Sequence, residues 1–223
     1  MREIPGIPYR FEDPELLALA LSHRSVGRDN NERLEFLGDS ILNFVVSARL
    51  FDLKTENDEG DLSRYRARVV RGDTLARLAG ELKLGDYIRL GEGEQKSGGF
   101  KRNSILADAL EAVLGAIYLD GGFQPCEEVI RYICDPVIDL LPDASELKDP
   151  KTRLQEWLQG AGFSLPEYNL LSDKGPSHRK HFIVECIANS AGIRATGKGG
   201  SRQKAEQEAA AAALELVAPR AEK

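Results

Sequence analysis

Asn31-Glu32-Arg33-Leu34-Glu35-Phe36-Leu37-Gly38-Asp39 reads as the start of a helix that carries its acids on one side. Each residue advances about 100° round the axis, so Leu34, Leu37, Ile41, Phe44, Val45 and Ala48 form an apolar stripe, with Glu32, Glu35 and Asp39 opposite. Acids spaced three and four apart repel one another, whereas a face needing only solubility gains by interleaving Lys or Arg. The missing partner is a cation. A second acid pair stands in the stretch from Ser104 to Gly115, where Ser104 is the expected N-cap. Asp108 and Glu111 lie on its small-residue side beside Ala112 and Gly115, opposite Leu106, Leu110, Val113 and Ile117. If both stripes enter one core, Glu35, Asp39, Asp108 and Glu111 converge, and the small residues allow close approach. An all-carboxylate set with no Cys or His beside it suits Mg²⁺ or Mn²⁺ rather than zinc or copper. Two ordinary solvated acidic faces are the competing reading of the same residues.

The 223 residues, 42% hydrophobic, suit two domains. Met1 to Gly6 contains no apolar leader, and the longest apolar stretch, Ile41 to Phe51, is interrupted by Asn43, Ser47 and Arg49. No signal peptide and no membrane span are expected. Cys126, Cys134 and Cys186 have no paired or metal-type spacing, which fits buried thiols in a reducing cytoplasm. The net charge of −6 is unevenly spread: residues 1–148 carry −8 and residues 149–223 carry +2. Seven basic side chains and a single acid, Glu185, fall between Lys174 and Lys204, the footprint of a phosphate-binding surface.

Apolar spacing of three and four predicts helices over Pro14–Leu21, Asn31–Leu53, Leu62–Val70, Thr74–Leu82, Ser104–Leu119 and Glu127–Leu140. The Gly-rich run Gly91–Gly99 lacks Walker spacing. It is expected to be a connector or a phosphate-facing loop, with Lys96, Lys101 and Arg102 as phosphate contacts. The polar, proline-marked Leu141–Lys148 separates domains 1–146 and 147–223. Asp149 and Pro150 then read as an N-cap and first turn, with Leu154, Trp157 and Leu158 facing inward. Strands are expected over Glu167–Ser172, Lys180–Ile187 and Gly192–Gly197, and an Ala-rich helix over Ser201–Val217. The order is α-β-β-β-α. Of the histidines, His23, His178 and His181, His23 reads as a structural hydrogen bonder at a helix end.

Glu32-Arg33-Leu34-Glu35-Phe36-Leu37-Gly38-Asp39, followed at a distance by Ile105-Leu106-Ala107-Asp108-Ala109-Leu110-Glu111-Ala112, resembles the bacterial ribonuclease III family. The second half, with Gly175-Pro176-Ser177-His178 and Ala205-Glu206-Gln207, resembles a double-stranded RNA-binding domain. The resemblance implies a mainly α protein, an all-helical endonuclease domain followed by a small α+β RNA-binding domain. It implies that Glu35, Asp39, Asp108 and Glu111 hold Mg²⁺, with Mn²⁺ as a substitute, that Asp39 and Glu111 are catalytic, and that Glu32 and Glu59 are further acids of the cleavage site. Water activated by the metal would leave 5′-phosphate and 3′-hydroxyl ends on double-stranded RNA, in the processing of ribosomal and messenger RNA precursors. Phe36, about 40° round the helix from Glu32, would insert into a socket on the partner of a homodimer. In the second domain, Thr152, Gln155 and Glu156 would reach 2′-hydroxyls, His178 would enter the second minor groove, and Arg202 and Lys204 would meet phosphates. The family usually has two adjacent basic residues where this chain has Arg202 and Gln203. A non-catalytic double-stranded RNA-binding regulator is the alternative from another class, and a phosphohydrolase of small nucleotides is a third.

Overall fold

A computed structural model describes residues 1–175 and 180–217, and the chain folds as two compact units, Met1–Pro142 and Asp143–Lys223. The first unit is helical: α1 (Pro14–Ala20), α2 (Glu32–Leu53), α3 (Glu59–Val69), α4 (Gly72–Glu81), α5 (Glu92–Lys96), α6 (Asn103–Gly121) and α7 (Phe123–Asp139). Among the described residues no helix is long and apolar enough to cross a membrane.

Helix α6 is the axis of this unit. From Ile105 to Ile117 it is buried on nearly every side, as a helix apolar all round must be, and only Asp108 and Glu111 in that span keep partial exposure. Helices α1, α2, α4 and α7 pack around it, α2 most extensively. The two backbones meet at glycines: a Cβ on Gly38 would strike the carbonyl oxygen of Glu111, and one on Gly115 would strike that of Leu34. This reciprocal contact changes the expected face of α2. Leu34, Gly38, Ile41, Leu42, Val45, Val46 and Leu50 are buried, whereas Phe44 and Ala48 of the expected stripe are exposed, because α6 crosses α2 over Gly38. Phe44 is 61% exposed and meets Phe123 edge-on, with ring centroids 5.8 Å apart.

Several ends also differ from the sequence reading. Helix α3 begins at Glu59, because the Asp58 carboxylate accepts the Asp61 N–H at 2.8 Å. Helix α6 begins at Asn103, so Ser104 lies within its first turn and is not its cap. The Gly-rich run is not an open loop. It contains α5, and Glu94 reaches back to Arg102 at 2.6 Å, which turns one expected phosphate contact into an internal ion pair. Asp120, near the end of α6, accepts from the Tyr9 hydroxyl at 2.7 Å and from the backbone N–H groups of Glu12 and Asp13, each at 2.8 Å, and so fastens the N-terminal segment.

The second unit contains α8 (Ala144–Leu147), α9 (Pro150–Gly160), strands β1 (Glu167–Lys174), β2 (His181–Ala188) and β3 (Ile193–Gly199), and α10 (Arg202–Val217). The antiparallel sheet has the order β1-β2-β3. Asp149 caps α9, accepting from the N–H groups of Lys151 and Thr152, with Pro150 in the first turn. Leu154 and Leu158 join Cys186, Ile193, Ala209, Ala210, Ala213 and Val217 in one core, with Trp157 packed at its side. The alanines of α10 allow it to lie almost on β3, where a Cβ on Gly197 would strike the backbone of Ala205 and Ala209. Cys126, Cys134 and Cys186 are free and buried.

Gly38→Ala overpacks the α2–α6 crossing and is expected to destabilise the protein by about 1–3 kcal/mol. Gly80→Ala, on an exposed helical site with nothing within 4 Å of the added carbon, is expected to stabilise it by about 0.5–1 kcal/mol. Chemical denaturation of the two variants beside wild type checks both signs.

Candidate active site

Helix α2 supplies Glu35 from the turn that precedes Gly38, and α6 supplies Asp108 and Glu111 from adjoining turns. Because the backbones touch at Gly38, these three side chains share the seam: one carboxylate oxygen of each lies within 4.8 Å of the others, and all three are half-buried. Burial disfavours the charged form, and each negative neighbour adds to that. Glu111 is pushed up to about 8, first by burial and then by Asp39, Glu35 and Asp108. Burial, Asp108 and Glu32 raise the pKa of Glu35, while Arg24 pulls it back. Burial also raises that of Asp108, which His23 and Arg24 oppose. Three acids at this spacing, offering only oxygen, fit a hard divalent cation.

The other expected site residues are placed differently. Asp39 is exposed and outside the trio. One of its oxygens accepts from the Asn43 amide at 2.7 Å, although its charge still bears on Glu111 and Glu35. Glu32 stands at the start of α2, 3.7 Å from Arg24. Glu59 accepts from the Ser63 hydroxyl at 2.9 Å and lines a hollow with Ser47, Phe51 and Arg66. Ser47 is about 12 Å further along α2 than Asp39, so within one chain Glu59 stands apart from the trio. Phe36 is 78% exposed on the outer side of α2.

In the second unit the starts of α9 and α10 are tied together. Lys151 reaches Glu206 at 2.6 Å, Gln207 donates to Asp149 at 2.8 Å, and Arg202 also donates to Glu206 at 2.9 Å. Thr152 donates to Asp149, and Glu156 accepts both bonds from Lys148, while Gln155 is exposed. Lys204 is exposed and borders an open hollow with Lys198, Gln203 and Gln207. His178 lies outside the described residues. Sequence periodicity alone assigns no role to Gly38, Lys151, Glu206 or Arg24. The i, i+4 spacing of Arg202 and Glu206 was the available signal for that pair.

A helical unit with a half-buried carboxylate trio, followed by an α-β-β-β-α unit with a basic end, combines an oxygen-only cluster suited to a hard cation with a surface suited to a polyanion. Known proteins identify the particular lineage. The Ribonuclease-III-like family model matches residues 13–137, and the double-stranded RNA binding motif matches residues 150–217. Ribonuclease 3 of Nitrosococcus oceani is 51% identical over 211 residues, 94% of this chain and 91% of that one. Ribonuclease 3 of Dechloromonas aromatica is 54% identical over 209 residues, 93% of this chain and 94% of that one. Among solved structures, the nuclease domain of ribonuclease III from Campylobacter jejuni, described for flexibility in a region involved in dimer formation, is 43% identical. It covers 58% of this chain and 92% of that one, with a TM-score of 0.57. The chain belongs to the ribonuclease III family.

Because the folded protein raises the pKa of Glu111, the metal-free protein is stabilised by protonation of that residue below its ordinary value of 4.5. That contribution is lost as pH rises through about 8. The expected result is a melting temperature that falls over this window in wild type and falls less in Glu111→Gln, measured in chelator.

Proposed function

We propose that this chain is a homodimeric, Mg²⁺-dependent endoribonuclease that cleaves double-stranded RNA to 5′-phosphate and 3′-hydroxyl ends, in the processing of ribosomal and messenger RNA precursors. The observation that carries the reading is the carboxylate trio of Glu35, Asp108 and Glu111, within 4.8 Å, in a chain whose second unit matches the double-stranded RNA binding motif. Glu35, Asp108 and Glu111 hold the cation, and Asp39 joins them by turning from Asn43. A divalent cation bound there supplies charge neutralisation at the phosphodiester and water of lowered pKa. The protein's own contribution is to fix the acids at the α2–α6 seam and to exclude enough solvent that a cation is favoured there. Glu32 and Glu59 are the outer acids of the cleavage site.

Affinity for the duplex comes from the second unit. Thr152, Gln155 and Glu156 face the first minor groove and His178 the second, and Arg202 and Lys204 meet the phosphates between. Arg202 and Glu156 keep exposed side chains although their partners Glu206 and Lys148 are largely covered, so each retains a face open to RNA. Phe36 is the dimer contact. Its 78% exposure, with Phe44 and Phe51 also exposed along α2, leaves large apolar side chains on that helix for a second copy to cover. Three buried free thiols suit the cytoplasm. A binding-only regulator has no use for three mutually repelling half-buried acids, whose desolvation works against stability.

Glu111→Gln is expected to slow cleavage of a long RNA duplex in Mg²⁺ by about two orders of magnitude or more, with duplex affinity kept. Chelator abolishes cutting by wild type. Gel analysis of products beside filter binding checks both, and loss of binding together with cutting contradicts the assignment. Gln203→Lys is expected to add a phosphate contact, steepening the slope of log affinity against log salt by about 0.9. A salt titration of duplex binding reads it.

A further inference from the structure

An acid cluster that attracts a divalent cation also repels the phosphates of its own substrate. Glu32, Glu35, Asp39, Asp108 and Glu111 outnumber the two charges of one such ion when ionised, so RNA approaching the trio needs positive charge at its edge. Arg24 is a cation whose charge bears on both Glu35 and Asp108. It follows α1 in the connection to α2, and the backbone that carries it is fixed from several directions. The His23 N–H donates to the Arg89 carbonyl at 3.0 Å, and the Arg89 N–H donates to that of Leu21 at 2.7 Å. The Ser25 N–H donates to His23 Nδ1 at 3.2 Å, and the Ser25 hydroxyl accepts from the Gly91 N–H at 2.9 Å. The buried His23 ring thus anchors the turn.

The side chain itself is held weakly. The side chain is 71% exposed, and its 3.7 Å separation from Glu32 is too long for a charge-assisted hydrogen bond, so the pair contributes little. A planar guanidinium offers paired N–H donors that match two phosphate oxygens. We propose that Arg24 is the phosphate-binding residue at the edge of the acid cluster, leaving Glu32 to take a phosphodiester of the duplex delivered to that site. This role rests on the nuclease reading above. The second unit supplies most of the affinity, so the contribution of Arg24 lies in placing the phosphate against the trio, not in capturing the RNA.

The test compares wild type, Arg24→Gln and Arg24→Lys as full-length protein on one long RNA duplex in Mg²⁺. Single-turnover rate, KM, melting temperature and Mn²⁺ affinity without RNA are measured for each. Loss of a charged hydrogen-bonding group corresponds to a fall of about ten- to a hundredfold in rate for Arg24→Gln. KM and melting temperature stay near wild type, Mn²⁺ affinity is equal or tighter, and Arg24→Lys recovers part of the rate. Cutting by Arg24→Gln at the wild-type rate overturns the role of Arg24 and leaves the nuclease reading intact. A rate loss matched by loss of Mn²⁺ affinity or melting temperature also overturns it, in favour of a structural counter-ion. Wild type that fails to cut in either Mg²⁺ or Mn²⁺ overturns the nuclease reading and this inference with it.

Discussion

Two helix backbones touch where α2 and α6 cross, and the features of the first unit follow from that contact. Gly38 faces the carbonyl of Glu111, and Gly115 faces that of Leu34, with no room for a Cβ at either place. The residues that make the crossing possible are therefore neighbours of those that carry the acids. Bringing the axes this close puts Glu35, Asp108 and Glu111 on one seam, and the surrounding apolar helices partly desolvate them. Burial is the largest cause of the raised pKa of each of the three. The packing that stabilises the unit also creates an electrostatic deficit that a bound cation would relieve.

The two units divide opposing tasks. The first carries the chain's negative excess and concentrates it at the seam. The second presents Lys198 and Lys204 beside the start of α10. The starts of its helices α9 and α10 are held in register by Glu206, which receives both Lys151 and Arg202, and by Gln207 bonded to Asp149. Cation affinity and polyanion affinity would conflict on one small surface. Placing them on separate folding units lets each be strong, and Arg24 is a positive group 3.7 Å from Glu32 at the edge of the acid cluster.

Much of this was legible in the sequence because it is periodic. The acids of α2 and α6 announce themselves by three- and four-residue spacing, and the α-β-β-β-α order follows from alternation and capping, with Asp149 and Pro150 opening α9. What periodicity misses has definite causes. It weights large apolar residues and so gives no weight to Gly38, on which the crossing turns. Nor can it distinguish an apolar residue that meets its own core from one left outward, and so it places Phe44 inward. Asp39 stands outside the trio because a local bond to Asn43, four residues on, holds it. Arg24 comes from a turn positioned by Arg89 and Gly91, more than sixty residues away, and no local pattern reports such a contact.

The central claim is that the seam between α2 and α6 is a divalent-cation site. Crystals grown with Mn²⁺ and measured at its absorption edge test it most directly. The account predicts an anomalous peak bounded by the carboxylates of Glu35, Asp108 and Glu111. A peak elsewhere, or none at the seam while the same Mn²⁺ supports cutting of RNA, would contradict it.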